Sequence, residues 1–244
     1  MTESPFLSLI IPAYNEENRL QGTLDQVENF LQEQDFSYEV IVVENGSTDR
    51  TLEIAQEFSA NHPRVRVVHE DQSGKGRAVR RGMLEVCGQY RFMCDADLSM
   101  PIKEINRFLP PNHTDADIVI ASREAPGAVR YNEPEYRHFG GRLINWAIRL
   151  VALPGLQDTQ CGFKSFRAHV AEDLFSCQTM NGWSFDIEVL YIAHKRGYSI
   201  VELPVPWYYS EHSHVSPVKD AIKMVVDIFK IRGNARRGMY AKKI

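Results

Sequence analysis

Residues 90–99 read Tyr-Arg-Phe-Met-Cys-Asp-Ala-Asp-Leu-Ser, a short apolar run that breaks into two carboxylates one residue apart. A run of this length ending in a turn is the pattern of a buried strand. The pattern recurs at Phe6 to Ala13, Tyr38 to Val43, Val65 to His69 and Asp117 to Ala121, each followed by a polar or glycine-containing turn. Helical periodicity fills the intervals over Glu16 to Gln34, Thr48 to Asn61 and Lys75 to Cys87, with a shorter helix after Pro101. This alternation predicts an open, mostly parallel α/β sheet flanked by helices, which binds ligands beyond the carboxyl ends of its strands. Asp95 and Asp97 lie at such an end.

Beyond Ala121 the pattern changes to a polar loop, Ser122 to Glu135, an apolar helix over Tyr136 to Leu153, and a Pro154-Gly155 break. Further helices fit Arg167 to Ser176, Ser184 to Arg196 and Val218 to Ile231, with a β-like stretch at Ser199 to Pro206. We therefore expect one domain over 1–216, with halves 1–121 and 122–216, and a basic amphipathic tail over 217–244. Within Pro217 to Ile244 eight basic residues face two acidic ones. That balance suits an anionic membrane surface as well as it suits a solvated helix with a loose end.

With 244 residues, 43% hydrophobic and 25% charged, the composition is that of a globular protein. The net charge of -4 argues against a broad nucleic-acid surface. Cys87, Cys94, Cys161 and Cys177 show no zinc-type spacing, so a reduced, cytoplasmic chain is expected. The amino terminus lacks the basic start and long apolar centre of a signal peptide, and no apolar run reaches about 18 residues. Any membrane contact is expected to be peripheral, at the cytoplasmic face.

The chemistry-bearing residues gather at the predicted strand ends. Asp95 and Asp97 can share one hard divalent cation, which in turn can bridge the phosphates of a nucleoside diphosphate; a solvated turn before Pro101 is the plainer alternative. The first strand ends in Pro12-Ala13-Tyr14-Asn15-Glu16-Glu17, where Tyr14 offers an aromatic face to a base and Asn15 can equally cap a helix. The second ends in Glu44-Asn45-Gly46-Ser47-Thr48, an acid at the strand tip before a turn. Gly74, Lys75 and Gly76 open a helix, so amides and an amine can face a phosphate, although the P-loop and dinucleotide spacings are absent.

Together, IIPAYNEE at 10–17, VVENGSTDRT at 42–51, GKG at 74–76, DADLS at 95–99, ASR at 121–123, DTQCGFKSF at 158–166 and WSFDIEVLYIA at 183–193 resemble glycosyltransferase family 2 enzymes of the GT-A fold. Within that family the pattern is similar to the polyprenyl-phosphate sugar synthases, the dolichyl-phosphate glucose branch above all. The resemblance implies a nucleotide-sugar site lined by Pro12, Ala13, Tyr14, Asn15, Glu16, Glu44, Gly46, Ser47, Gly74, Lys75, Asp95 and Ala96. It implies Mg²⁺ or Mn²⁺ on Asp97 and Asp95, with Ser99 where mannose synthases often carry a metal-binding glutamine. It also implies inversion at the anomeric carbon, with UDP-glucose the favoured donor and GDP-mannose the second. The chain departs from the usual pattern at Glu44-Asn45, where two aspartates are common, and at His214, where a lysine is common.

On the acceptor side the resemblance matches Arg123 and Arg137, with His214, to the groups that hold a polyprenyl phosphate. A guanidinium suits phosphate because its planar fork of donors is always charged; pairing with Glu124, Glu133 or Glu135 on the surface is the alternative. An ionised phosphate needs no strong base to attack, so charge neutralisation and orientation suffice. Asp158, Asp186 and Glu188 are candidates for sugar hydroxyls or for the basic cluster. A soluble acceptor, a nucleotidyltransferase and a non-catalytic binding module are the competing readings.

Overall fold

The computed structural model describes residues 4–134, 153–209 and 217–241, with side chains omitted for 217–222. The expected apolar helix over 136–153, apart from Leu153, and the candidates Arg137 and His214 lie outside the described residues.

Seven strands form one sheet in the order β3-β2-β1-β4-β7-β5-β8. They are β1 (Leu7–Ala13), β2 (Tyr38–Glu44), β3 (Val65–His69), β4 (Tyr90–Cys94), β5 (Ile118–Ser122), β7 (Phe163–Arg167) and β8 (Ile200–Pro204). The five strands read from the apolar runs are all present, in parallel pairs where they adjoin one another. Helices α1 (Leu20–Gln32), α2 (Thr51–Asn61), α3 (Lys75–Glu85), α4 (Ile105–Phe108), α5 (Ala168–Cys177), α6 (Phe185–Lys195) and α7 (Pro217–Arg236) connect and flank the strands. Alternate residues of the central strands enter opposite apolar layers. Ile10, Ile41 and Val43 meet α3, α5 and α6, whereas Leu9, Ile11 and Val42 meet α1.

Two features depart from the expectation. Strand β7 runs antiparallel between β4 and β5, where the sequence carries the DTQCGFKSF motif at 158–166 and no expected strand. The supposed loop 122–135 contains β6 (Val129–Tyr131), which pairs in parallel with β9 (Pro206–Tyr208) in a separate ribbon. The helices after β1 and β2 also start later than the periodicity suggests, at Leu20 and Thr51. The residues between strand and helix serve the site instead. Helix α7 sends Met224, Ile228 and Ile231 inward at i, i+4 and i+7 spacing, and Ile228 and Ile231 join the same core as α3 and α6.

Candidate active site

The tips of β1 and β2 are stapled together by side-chain hydrogen bonds to backbone. Asn15 sits at φ +54°, a conformation asparagine tolerates better than most residues. Its Oδ1 accepts Thr48 N–H at 2.8 Å while its own N–H donates to Ser47 Oγ at 3.0 Å. Glu16 N–H donates to Thr51 Oγ1 at 2.7 Å, and Glu17 N–H to Asp49 Oδ2 at 3.1 Å. Asn15 is thus a cap, but for the neighbouring loop rather than for α1, and Glu16 pairs with Arg19 through its carboxylate. Pro12 and Tyr14 are half-buried beside these loops, whereas Ala13 is buried.

Asn45 extends the staple toward α3. In the amide orientation that satisfies both neighbours, its Nδ2 donates to Ala13 O at 2.6 Å and its Oδ1 accepts Gly74 N–H at 3.0 Å. An aspartate there would keep the backbone N–H bond to Ala13 O at 3.1 Å but would lose the second, side-chain donor. Gly74 and Gly76 are required by the next contact: a Cβ on either would lie 2.6 Å from a backbone oxygen of the 180–182 segment. The amino end of α3 is thereby pressed onto that segment, and Lys75 is aimed at the tip of β4.

There Lys75 Nζ lies 2.6 Å from Asp95 Oδ1 and 5.1 Å from the centre of the Trp183 ring. Burial disfavours the ammonium, but the carboxylates of Asp95, Asp186 and Asp97 outweigh it and raise the lysine pKa. Asp95 is seated against backbone: its N–H donates to Gly162 O at 3.1 Å, and a Cβ at Gly162 would fall 1.9 Å from Asp95 Oδ2. Ala96 is buried, with its carbonyl accepting Thr23 Oγ1–H at 2.6 Å. Leu98, at φ +44°, then turns the chain sharply, and Asp97 Oδ1 accepts Ser99 N–H at 3.0 Å.

These residues fit a hard divalent cation. Asp97 is half-exposed beside Asp95, and among the described residues nothing meets its Oδ2. No group of three or more metal-type side chains gathers among the described residues. The protein would therefore supply two carboxylates and leave other positions to phosphate and water oxygens, as Mg²⁺ commonly accepts. Ser99 contributes backbone to this turn: its N–H holds Asp97 and its carbonyl accepts Tyr208 N–H at 2.8 Å, which ties the β6–β9 ribbon to the carboxylate turn.

Arg123 closes the other side. Its Nε and Nη2 donate to Asp158 Oδ2 and Oδ1 at 2.6 and 2.9 Å, and its backbone N–H adds a third bond at 3.1 Å. Asp158 is fully buried. Burial pushes its carboxyl pKa up, but Arg123 more than reverses this and brings it down to about 2. The surface pairing considered for Arg123 belongs to Arg130, which holds both Glu124 and Glu133. Trp207 lies near both guanidiniums, at 5.6 and 5.7 Å. Among the described residues no acceptor meets Arg123 Nη1, which leaves a charged corner for an anion.

Of the two acids named on α6, Asp186 takes one of its two expected places and Glu188 takes neither. Asp186 is buried against Lys164, itself 1% exposed, so it belongs to the basic cluster. Glu188 is fully buried and accepts hydrogen bonds from Thr179 N–H at 2.8 Å, Met180 N–H at 2.7 Å and Tyr240 Oη–H at 2.6 Å. It fixes the segment beneath α3 and is no sugar contact. Lys164 escaped the sequence reading because a lysine within CGFKSF resembles a solvent-facing position. Away from this edge, a 470 Å³ cavity between α6 and α7 is lined by Lys195, Arg196, Arg232 and Arg236. Those cations lie in or beside the last turns of the two helices, where they offset the carboxyl-end dipoles.

Known proteins resemble this chain in sequence and in fold. A family model described as glycosyl transferase family 2 matches residues 8–175. A dolichyl-phosphate beta-glucosyltransferase of Dictyostelium discoideum is 35% identical over 93% of this chain and 74% of its own length. Its counterpart in Saccharomyces cerevisiae is 30% identical over 98% and 77%. Among solved structures, glucosyl-3-phosphoglycerate synthase from Mycobacterium tuberculosis, crystallised with Mn²⁺, UDP-glucose and phosphoglyceric acid, superposes with a TM-score of 0.68. It shares 19% identity and aligns over 94% of this chain and 80% of that one, a likeness of fold. With the matched span running from β1 into α5 and enclosing Lys75, Asp95, Asp97, Arg123 and Asp158, the chain belongs to glycosyl transferase family 2 and has the GT-A fold.

Proposed function

We propose that the chain transfers glucose from UDP-glucose to a polyprenyl phosphate, with inversion at the anomeric carbon. One observation carries the reading: a lysine–carboxylate pair beside a second free carboxylate shares its sheet edge with a buried arginine–carboxylate pair. Cys161, next to Gly162, feels the charges of Arg123, Asp158, Lys164 and Asp95 together, and burial pushes its thiol up to about 12. The names of the curated relatives supply the sugar and the lipid.

In this reading Asp97 and Asp95 would hold Mg²⁺ or Mn²⁺, which would supply positive charge to neutralise the leaving diphosphate. Lys75 stays protonated beside Asp95 and takes a share of the same charge. Arg123 is held rigid by Asp158 and offers its free corner to the acceptor phosphate, which attacks without a general base. Asp186, with Lys164, steadies the lysine side of the site. Among the described residues no helix is long and apolar enough to cross a membrane. Helix α7 nevertheless exposes Val225, Val226 and Phe229 among Lys223, Lys230 and Arg236, a mixture suited to peripheral contact with an anionic membrane.

Incubation of the full chain with UDP-glucose or GDP-mannose, Mn²⁺ and short-chain polyprenyl phosphates, read by mass spectrometry of the lipid, tests the proposal. Glucosyl lipid from UDP-glucose is expected. Mannosyl lipid alone would move the donor assignment. Absence of glycolipid with either donor, from a preparation that turns over a soluble acceptor, would overturn the lipid assignment.

A further inference from the structure

At the tip of β2 the carboxylate expected to meet the nucleotide is closed off. Glu44 is 1% exposed. Its Oε1 accepts Ser47 N–H at 2.5 Å and its Oε2 lies 2.5 Å from His69 Nδ1. Strand register makes the pairing, because Glu44 and His69 are opposite each other in the β2–β3 ladder. A carboxylate only accepts, so Nδ1 carries the hydrogen and the ring is fixed with Nε2 turned outward. His69 is 46% exposed, and the group facing Nε2 is Asp71, 3.1 Å away and 92% exposed. Ladder bonds and the Glu70 N–H to Glu44 O bond already join the two strands. A tie alone does not require an imidazole aimed at solvent.

His69 lies on the same edge as Asp95, with β2 and β1 between. Three inter-strand steps span ~14 Å, comparable to the length of an extended nucleoside diphosphate. Resting on the nucleotide-sugar reading above, we propose that His69 contacts the donor's base, giving Nε2–H to a ring carbonyl oxygen, with buried Glu44 as the positioning residue behind it. Asp71, nearly all in water, yields its place when the nucleotide enters. Uracil and guanine present such a carbonyl; adenine does not.

The charged groups facing the ring are Glu44 from β2 and Asp71 from the loop after β3. The hydrogen bond to Glu44, followed by the charges of both carboxylates, raises the histidine pKa above its ordinary value. Because Glu44 keeps the hydrogen on Nδ1, loss of the other proton turns Nε2 from donor into acceptor and removes the carbonyl contact. Affinity for the nucleotide therefore falls as pH rises through the raised pKa.

Calorimetric titration of the full chain with UDP, GDP, ADP and inorganic pyrophosphate, each with Mn²⁺, tests this. Wild type should bind UDP more tightly than ADP and lose about tenfold in UDP affinity across the histidine titration, with pyrophosphate binding unchanged. His69→Asn keeps a donor for Glu44 but none outward; it should show the weak, pH-independent UDP affinity from the start. His69→Gln reaches outward without titrating and should restore binding with a flat profile. UDP affinity within twofold of wild type in His69→Asn, or an equal loss for pyrophosphate, would overturn the assignment. Failure of wild type to bind UDP or GDP at all would overturn the nucleotide-sugar reading along with it.

Discussion

The two sides of the active-site edge are built from different interactions. On the donor side, the tips of β1, β2 and α3 are joined by neutral side chains bonding to backbone: Asn15 to Thr48, Thr51 to Glu16, Asn45 to Ala13 and Gly74. On the acceptor side, order comes from a buried ion pair, Arg123 with Asp158, and a second buried pair, Lys164 with Asp186, lies where the two sides meet. Neutral staples are individually modest and tolerate the loss of one member. Buried pairs add little over an apolar core yet are costly to break, because the survivor is left charged in a dry place. Damage on the donor side should thus be graded, and damage on the acceptor side abrupt.

The centre, where the sides meet, should give the largest effect. Asp97→Ala is expected to reduce metal-dependent turnover by about 10³-fold, roughly 4 kcal/mol of barrier, with thermal unfolding little changed. Steady-state kinetics with varied Mn²⁺ checks this, and unchanged turnover would remove Asp97 from the metal site. Next, Arg123→Ala leaves Asp158 buried and unpaired and should destabilise the fold by about 3 kcal/mol, read by denaturant unfolding. Asp158→Asn with Arg123→Ala together should recover part of that loss, since no bare charge remains. Failure of the double variant to recover would show that Arg123 acts by packing alone.

Acid separates the two sides without mutation. The Asp158 carboxyl is held down to about 2 in the fold by the Arg123 guanidinium, against an ordinary 3.8. Its contribution, about 2 kcal/mol, is present above pH 4 and is lost as pH falls toward 2. Asp158→Asn should flatten that part of the stability profile. His69 has the opposite sign: its raised pKa stabilises the fold at low pH, and this contribution fades as pH rises through that value. The smallest effect belongs to a single staple. Asn15→Ala should cost about 1 kcal/mol, measured by denaturant unfolding, and a loss as large as that of Arg123→Ala would erase the distinction between the sides.

The same contrast explains what could be read in advance. Donor-side tips were legible because their signals are local: an apolar run, a turn and a helix start within a dozen residues, as at Tyr38 to Thr51. Strand β7 was hidden because Lys164 interrupts its apolar pattern, and the carboxylate that permits a buried lysine lies on α6. Arg123 and Asp158 were each named, Asp158 as a candidate for the basic cluster, but their pairing was not, since they are remote in sequence and only the fold joins them. His69 closes a predicted strand and gave no periodic signal of its own. Only pairing of β2 with β3 places it on Glu44.

Gly162 shows how little material separates a working edge from an idle one. A single methyl group there would occupy the volume now held by the Asp95 carboxylate, the partner of Lys75. Gly162→Ala is accordingly expected to displace the Asp95 carboxylate and abolish turnover while Arg123 and His69 keep their places.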